Sequence, residues 1–390
     1  MNIILYAVPF FFLLIVIELI LEKAKGTDYY RVNDSINSLT AGVLSRMTGI
    51  VKLFFPLTIY VLVYEQLAFF QMSSSWWMWL TAFVLYDFCY YWNHRLGHEM
   101  NILWAAHVVH HSTTALRQSG SSFFSWIFYL PMALLGFDPM VLITVGSLNL
   151  IYQFWVHTRH IPKLGYYEWV FVTPSNHRVH HAQNQIYIDR NYGGVFILWD
   201  RIFGSFQEEL DEDKPIYGIR KALKSWNPLW ANVHVYAQLG KDCWHANRWQ
   251  DKFLIWFKRT GWRPADVEQN YPLAKVDLTK FKKFDIQLTL TNKLYSLLQY
   301  LLIVFVGLLL MMNLADFTLA EQVLVVFFVL YGSVSAGLVL ENNPLSIYLE
   351  WVKYSLIVIT LIVYPLPAWI EWTLGISILI SGLFLLFKNK

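Results

Sequence analysis

Histidines are concentrated in one part of this 390-residue sequence, and their spacing suits metal binding. Ten of the twelve histidines fall between residues 94 and 181. Residues 94–98 read His-Arg-Leu-Gly-His, and residues 107–111 and 177–181 both follow the pattern His-x-x-His-His. Because residues three or four apart are neighbours on a helix surface, each of these three boxes is expected to present its imidazoles from one helical face.

Converging neutral imidazoles suit a borderline transition metal such as iron, zinc or copper. One ion rarely takes more than about four nitrogen ligands from protein, so eight or nine histidines predict two metals. A single histidine is more often a structural residue than a ligand. A proton relay would use a chain of single residues, and a metal-storage tract would be low in complexity. Three boxes at helical spacing favour the metal site over these alternatives.

The composition indicates that membrane helices hold these boxes. Hydrophobic residues make up 56% of the chain and charged residues 15%, and the mean hydropathy is +0.39. An ordinary globular protein is about 25% charged, so the surplus apolar surface predicts an integral membrane protein. The net charge of +3 is too small to indicate a nucleic-acid partner. Two cysteines, Cys89 and Cys243, give no disulfide framework.

Apolar runs near the length of a membrane-spanning helix occur at both ends of the chain. The predicted spans are residues 1–21, 51–64, 66–92, 118–137, 139–156, 294–312, 317–340, 354–370 and 372–387. The runs 118–137 and 139–156 are expected to form a helical hairpin that turns at Asp138-Pro139. The fold class predicted is an all-α polytopic transmembrane bundle with a cytosolic, histidine-rich di-metal cap.

Lys and Arg are distributed unevenly among the predicted loops, which sets the orientation. With the N-terminus outside, the loops near Glu65, Asp138, Ala315 and Pro365 carry no Lys or Arg. The histidine boxes and the polar stretch 158–293 are therefore expected on the cytosolic side. That stretch is rich in Trp, which is typical of short helices resting on the membrane interface. Three regions are predicted: residues 1–92, the histidine-box region 93–290, and residues 291–390.

The boxes and the segments around them resemble the membrane fatty acid hydroxylase/sterol desaturase superfamily, and within it the alkylglycerol (glyceryl-ether) monooxygenases. The boxes alone resemble only the superfamily. The similarity to the ether-lipid enzymes rests on residues 33–46, 90–101, 114–119, 125–129, 152–158 and 191–206. It covers roughly residues 30–265 and extends more loosely into the C-terminal helices.

The resemblance implies eight essential metal-binding histidines: His94, His98, His107, His110, His111, His177, His180 and His181. His157 matches a further histidine before the last box and is implied as a ninth ligand. Glu99 matches a glutamate that the ether-lipid enzymes require and that is linked to their pterin, so it is implied in catalysis and cofactor binding. His160 lies outside the pattern and is expected to be a surface histidine, and His234 and His245 are expected to be structural.

Two aspartates are candidates for supporting roles. Asp87 precedes His94 by seven residues on the same helical face, and Asp200 lies in the Trp199-Asp200-Arg201 turn. Either carboxylate could accept the second N–H of a ligating imidazole and fix its tautomer; helix capping or pairing with arginine is the alternative for both. The loop after His111 is shorter than the resemblance implies, which affects contacts with substrate or pterin there and leaves the metal count unchanged.

The resemblance implies an O2-dependent monooxygenase with two iron ions and tetrahydrobiopterin as reductant. It would hydroxylate the carbon next to the ether oxygen of an alkylglycerol, and the product would collapse to a fatty aldehyde and a glycerol derivative. Nothing in the spacing selects an ether. The second hypothesis is therefore a sterol, carotenoid or fatty-acyl hydroxylase or desaturase. Such an enzyme would use the same site and would receive its electrons from a ferredoxin or cytochrome.

A third hypothesis is a metal transporter or a proton-relay protein. Against it, the only acidic residues or histidines that the sequence places mid-membrane in the last four predicted helices are Glu321 and Glu341. The expected location is the endoplasmic reticulum in a eukaryotic cell and the inner membrane in a bacterium.

Overall fold

A computed structural model of the chain describes residues 3–27, 29, 40, 56–111, 124–220, 222–274, 277–278, 281, 284, 286–363 and 368–388. These residues are helical or irregular, with two isolated β-bridges, Phe171–Phe196 and Ala182–Tyr217, and no strand among them. The all-helical prediction is confirmed. The chain divides into two compact units, one made of residues 1–29, 50–222 and 233–281, the other of residues 30–49, 223–232 and 282–390. The predicted three-region division stays a prediction.

Fourteen α-helices are numbered here along the described chain, apart from a further helical stretch over residues 56–67. They are α1 Ile3–Lys25, α2 Trp76–Glu99, α3 Asn101–His111, α4 Leu130–Leu134, α5 Pro139–Trp155, α6 Pro174–His180, α7 Leu198–Ile202, α8 Pro228–His245, α9 Trp249–Phe257, α10 Ala265–Asn270, α11 Leu290–Met312, α12 Leu319–Leu340, α13 Leu345–Val363 and α14 Ala368–Lys388. Short 3₁₀ helices occupy Ser125–Tyr129, Gly165–Trp169 and Leu314–Asp316.

The first unit is built around α2, which packs against α3 and α5. Ser75 begins this helix because its hydroxyl accepts a hydrogen bond from the Met78 N–H at 3.2 Å, an N-cap that satisfies a free helix-end donor. The predicted span 66–92 was therefore wrong at both ends. Residues 68–75 are not helical, and the helix continues through the first histidine box to Glu99.

The predicted hairpin turn at Asp138-Pro139 is a helix start. Asp138 caps α5 by accepting from the Met140 N–H at 2.7 Å, and Pro139 occupies the first turn, where its missing N–H costs nothing. On the other side of this turn, the described residues form only the short helices 125–129 and 130–134. Within its described residues, the predicted span 118–137 is therefore not one long helix.

Asn101 anchors the start of α3. Its side chain donates to the carbonyls of Ile255 at 2.8 Å and Trp262 at 3.2 Å and accepts from the Gly261 N–H at 2.9 Å. Ala105 packs in the same region against Leu239, Ala246, Ile255 and Val267. The Trp-rich polar stretch thereby holds the helix that carries the second histidine box.

The second unit contains four helices that are long and apolar enough to cross a membrane, α11 to α14. The four C-terminal spans were predicted, but α13 begins at Leu345, nine residues before the predicted start at Tyr354. The earlier start brings the charged residues Glu350 and Lys353 into the helix. In the structure both are buried and paired, Lys353 Nζ lying 2.8 Å from Glu350 Oε2 and 3.0 Å from the Tyr295 hydroxyl. Mutual neutralisation is what allows two charges inside an apolar helix.

Candidate metal centre

All nine histidines predicted as ligands lie in two groups. The first, cluster I, contains His94, His98, His107, His111 and His180; the second, cluster II, contains His110, His157, His177 and His181. Within each cluster, one ring nitrogen from every member lies within 4.8 Å of the others. Either group could hold a metal ion, and every member except the half-buried His107 is buried.

The two His-x-x-His-His boxes do not present all their rings to one site. In α3, His107 and His111 join cluster I while His110 joins cluster II. In the last box, His177 and His181 join cluster II while His180 joins cluster I. With about 3.6 residues per turn, positions i+3 and i+4 diverge to opposite sides of position i, so one triplet reaches two neighbouring sites. The expectation that each box presents all its imidazoles from one helical face was therefore only approximately correct.

The clusters abut each other. The rings of His110 and His181, both in cluster II, have centroids 4.5 Å apart, and the His111 ring of cluster I lies at the same distance from His181. His94 and His180 are 4.4 Å apart within cluster I. Nine imidazoles therefore form one continuous patch with two ligand groups, the arrangement that the count of histidines predicted.

Backbone carbonyls set the tautomer of three rings. His94 Nδ1 lies 2.7 Å from the Tyr192 carbonyl oxygen, His157 Nδ1 lies 2.6 Å from that of Gln153, and His180 Nδ1 lies 3.0 Å from that of Arg190. A carbonyl only accepts, so each Nδ1 must carry the proton. Each Nε2 then carries a lone pair, and an unprotonated ring nitrogen of this kind is the atom that binds metal.

Several of these nitrogens have no hydrogen-bond partner among the residues that the structure describes. The Nε2 atoms of His98, His111 and His180, all in cluster I, are buried and unsatisfied. A buried polar atom without a partner is costly, and buried groups of this kind are rare in folded proteins. Three such nitrogens in one cluster are accounted for if their partner is a cation. The set of donors therefore suits a transition metal.

Burial also keeps these rings uncharged. Desolvation lowers the pKa of His94 to about 4, and burial followed by the nearby imidazoles lowers the pKa of His98, His111 and His181 well below the usual value. Neutral imidazole is the ligating form. The site is therefore prepared for metal at neutral pH.

The predicted supporting aspartates hold a loop instead of an imidazole. Asp87 accepts hydrogen bonds from the Asn149 amide at 2.7 Å, the backbone N–H groups of Val195 and Phe196 at 2.8 and 3.0 Å, and the Trp199 indole at 3.0 Å. Gly194 permits this approach, since a Cβ there would lie 2.7 Å from Asp87 Oδ1.

Asp200 holds the other end of the same loop. It accepts from the N–H groups of Tyr192 and Gly193 at 2.7 and 2.8 Å and from the Ser205 hydroxyl at 2.7 Å. Because the Tyr192 carbonyl orients His94, Asp200 acts on that ring through the backbone. Its pKa is raised by burial to about 6.

Glu99 lies beside cluster I without joining it. Its Oε1 atom is 3.0 Å from Arg95 Nε and 3.5 Å from the Tyr192 hydroxyl, and its side chain is partly exposed. A carboxylate at this position can accept a hydrogen bond from a molecule entering from outside. The shortened loop after His111 lies outside the described residues.

The structure adds one residue that the sequence reasoning missed. Asp189 Oδ1 lies 4.0 Å from His98 Nδ1, and Asp189 also pairs with Arg259 at 3.2 Å. Asp189 has a φ of 57°, an unusual value for a residue other than glycine. Its only sequence signal is the turn-forming run Asp-Arg-Asn-Tyr-Gly-Gly that begins there.

The remaining histidines lie away from the clusters. The ring of His160 contacts that of Tyr29 at 5.2 Å, and the ring of His245 stacks on that of Tyr271 at 4.0 Å. His160 is half-buried and not a fully exposed surface residue, and the structural role expected of His245 stays a prediction.

A family model described as fatty acid hydroxylase matches residues 79–205, which contain all nine clustered histidines. The chain is 36% identical to alkylglycerol monooxygenase of Homo sapiens over 364 residues, covering 89% of this chain and 80% of the human protein. The proteins of the same name from Xenopus tropicalis and Danio rerio are 34% and 35% identical, with 89% and 90% of this chain and 79% and 81% of their own lengths covered. No solved structure gave a significant match.

Proposed function

Because the chain belongs to the alkylglycerol monooxygenase family, we propose that it cleaves the O-alkyl bond of alkylglycerol ether lipids with O2. The pair of buried histidine clusters supports the oxygenase part of the proposal, and the identity to the alkylglycerol monooxygenases supports the choice of an ether lipid. A lipid is the substrate, and a reduced pterin is the electron donor. Sterol, carotenoid or fatty-acyl hydroxylation remains the second candidate, since the same site serves it.

The proposed reaction balances as a monooxygenation. One oxygen atom of O2 enters the C–H bond next to the ether oxygen, and the other leaves as water with two protons and two electrons from the reductant. The hydroxyl product is a hemiacetal. Its C–O bond to glycerol breaks as the hydroxyl proton moves to the leaving oxygen, which gives a fatty aldehyde and a free glycerol hydroxyl.

The histidines would hold two iron ions, five ligands in cluster I and four in cluster II. Iron, when bound, supplies the redox chemistry that O2 activation needs and that zinc lacks. The protein's part is to keep His94, His157 and His180 in the ligating tautomer through backbone carbonyls and to exclude water by burial.

Glu99 is proposed to contact the pterin. Its carboxylate is partly exposed at the edge of cluster I and is fixed in direction by Arg95. A carboxylate placed in this way can accept N–H groups from a flat heterocycle. Asp87 and Asp200 are proposed as positioning residues, because they hold the loop whose Tyr192 carbonyl orients His94.

We also propose that the clusters face the cytosolic side of the membrane, in the endoplasmic reticulum of a eukaryotic cell or the inner membrane of a bacterium. The Lys and Arg asymmetry supports this orientation. A reporter fused after Lys390, which the same asymmetry places inside, tests it. Activity of a reporter that works only outside would contradict the orientation.

The direct test is turnover by the purified chain in detergent. With iron, O2 and tetrahydrobiopterin, an alkylglycerol should yield the matching fatty aldehyde. His111→Ala should abolish turnover, and His245→Ala, which changes a histidine outside both clusters, should retain it. Turnover with a ferredoxin or cytochrome but not with pterin would favour the second candidate. Protein without iron and without O2 consumption would favour the transporter hypothesis.

A further inference from the structure

The first compact unit contains a cavity of about 680 Å³ that is separate from the histidine clusters. Its charged lining is mostly basic: Lys25, Arg159, Lys163, Arg178 and Lys214 against the acidic Glu209 and Asp211. Five positive charges therefore face two negative ones. A concave surface with such an excess attracts an anion.

The basic side chains differ in what they already bind. Arg178 forms a two-pronged pair with Glu209, with its closest N–O distance at 2.6 Å, and Lys163 lies 3.0 Å from Glu208. Arg159 instead contacts two aromatic rings, its guanidinium carbon lying 4.0 Å from the Tyr29 ring centre and 4.8 Å from that of Tyr217. Such cation–π contacts hold the group in place.

The donors of Arg159 are not used by a carboxylate. Among the residues that the structure describes, no Asp or Glu lies within ion-pair distance of its guanidinium. A guanidinium that is positioned by aromatic rings and has unused N–H donors matches the oxygens of a phosphate. Lys25 and Lys214 are exposed residues of the same lining, and they add positive charge to the cavity. Their long side chains need no single fixed position to attract an anion.

Apolar surface leads to this cavity. Lys25 is the last residue of α1, and the exposed apolar side chains on the same face of this helix include Leu14 and Leu21. Just after Lys163 in the chain, Tyr166 is 85% exposed and Trp169 63% exposed. Exposed Tyr and Trp beside basic residues are typical of the level of lipid head groups. The cavity thus combines a place for an anionic head with a track for an alkyl chain.

We propose that the lining formed by Lys25, Arg159 and Lys214 binds the phosphate of a membrane lipid head group, whose alkyl chain lies along α1. A free phosphate ester shares the head-group chemistry and differs by lacking the chain. The proposal goes beyond the oxygenase function and claims no turnover of the ligand. Its test measures binding only, so its failure leaves the proposed function untouched.

The experiment uses the full iron-loaded chain in dodecyl maltoside, a detergent without phosphate. Radiolabelled dodecyl phosphate should bind saturably, and dodecanol, with the same chain and no phosphate, should fail to displace it. Arg159→Gln should raise the Kd about ten- to hundredfold, the value of one or two hydrogen bonds to a charged group. Lys214→Gln should also weaken binding, and added salt should weaken binding to the wild type.

Lys241→Gln is the matched control, since Lys241 is an exposed lysine outside the cavity lining and should keep the wild-type Kd. Lys214 is exposed, so Lys214→Gln keeps the test valid even where Arg159→Gln unfolds. Three results would refute the proposed phosphate site. They are an absence of saturable binding, a Kd that is unchanged in both Lys214→Gln and Arg159→Gln, and displacement by dodecanol equal to that by dodecyl phosphate. Equal affinity for inorganic phosphate would overturn the lipid assignment and leave a free-phosphate site.

Discussion

Acidification of the metal-free protein should destabilise it steeply, because the clusters are built from neutral imidazoles. Seven histidines have a pKa below the ordinary 6.5, with desolvation as the largest cause: His94, His98, His110, His111, His177, His180 and His181. In the unfolded chain these rings take up protons near pH 6.5, while in the folded chain they do so only at lower pH. The unfolded state therefore binds more protons in this window, and stability falls as pH falls.

The size of the effect follows from the number of rings. One pH unit below 6.5, each such ring costs about 1 kcal/mol, and seven together cost on the order of 10 kcal/mol. That sum is comparable with the whole stability of a typical domain, about 5–15 kcal/mol. The folded site should open or the protein unfold near pH 5.5, and for His94 the loss should continue down to about pH 4.

The assay is the thermal unfolding midpoint of chelator-treated protein in detergent between pH 7.5 and 5.5. We expect a steep fall in the midpoint, together with proton uptake on unfolding at pH 6. Protein loaded with iron at pH 7.5 should have a higher midpoint, because a ligand that binds only the folded state stabilises it. A midpoint that stays level across this range would refute the description of the clusters as buried and neutral.

Three further substitutions test separate parts of the structure. Asp87→Asn keeps the shape of the side chain but places amide hydrogens against the backbone N–H donors of the loop. We expect a loss of about 2–5 kcal/mol in the free energy of unfolding, measured by thermal melts, and slower turnover. Glu99→Gln should raise the KM for tetrahydrobiopterin and leave that for alkylglycerol unchanged; equal rises would contradict a pterin contact. Lys353→Met should cost about 3–5 kcal/mol by leaving Glu350 unpaired, and adding Glu350→Leu should restore most of it, as detergent melts would report.

Periodic features were the most accessible from sequence. Eight of the nine ligand candidates were identified because helical spacing and a dense local count are both visible in the chain, whereas His157 came only from the family resemblance. The structure gathers all nine residues into two groups. The C-terminal helices were identified from uninterrupted apolar runs. Both signals are local, so neither required knowledge of distant contacts.

The errors came from interactions between distant residues. The predicted start of α13 was too late, and the turns that it left out contain the charged Glu350 and Lys353, which the structure pairs with each other and with Tyr295. Four partners of Asp87 and Asp200 were missed because they are backbone N–H groups of residues 192–196, and backbone donors have no residue type to recognise. Asp189 gave only a turn signal.

The sharing of each His-x-x-His-His box between both clusters has a mechanical consequence. His110 and His111 are consecutive residues of one helix but serve different clusters, as do His180 and His181. In the proposed two-ion centre, a small rotation of α3 about its axis would move one of these rings toward its ion while moving the neighbouring ring away from the other ion. Binding of one ion would therefore restrict the orientations of α3 in which the second ion can bind.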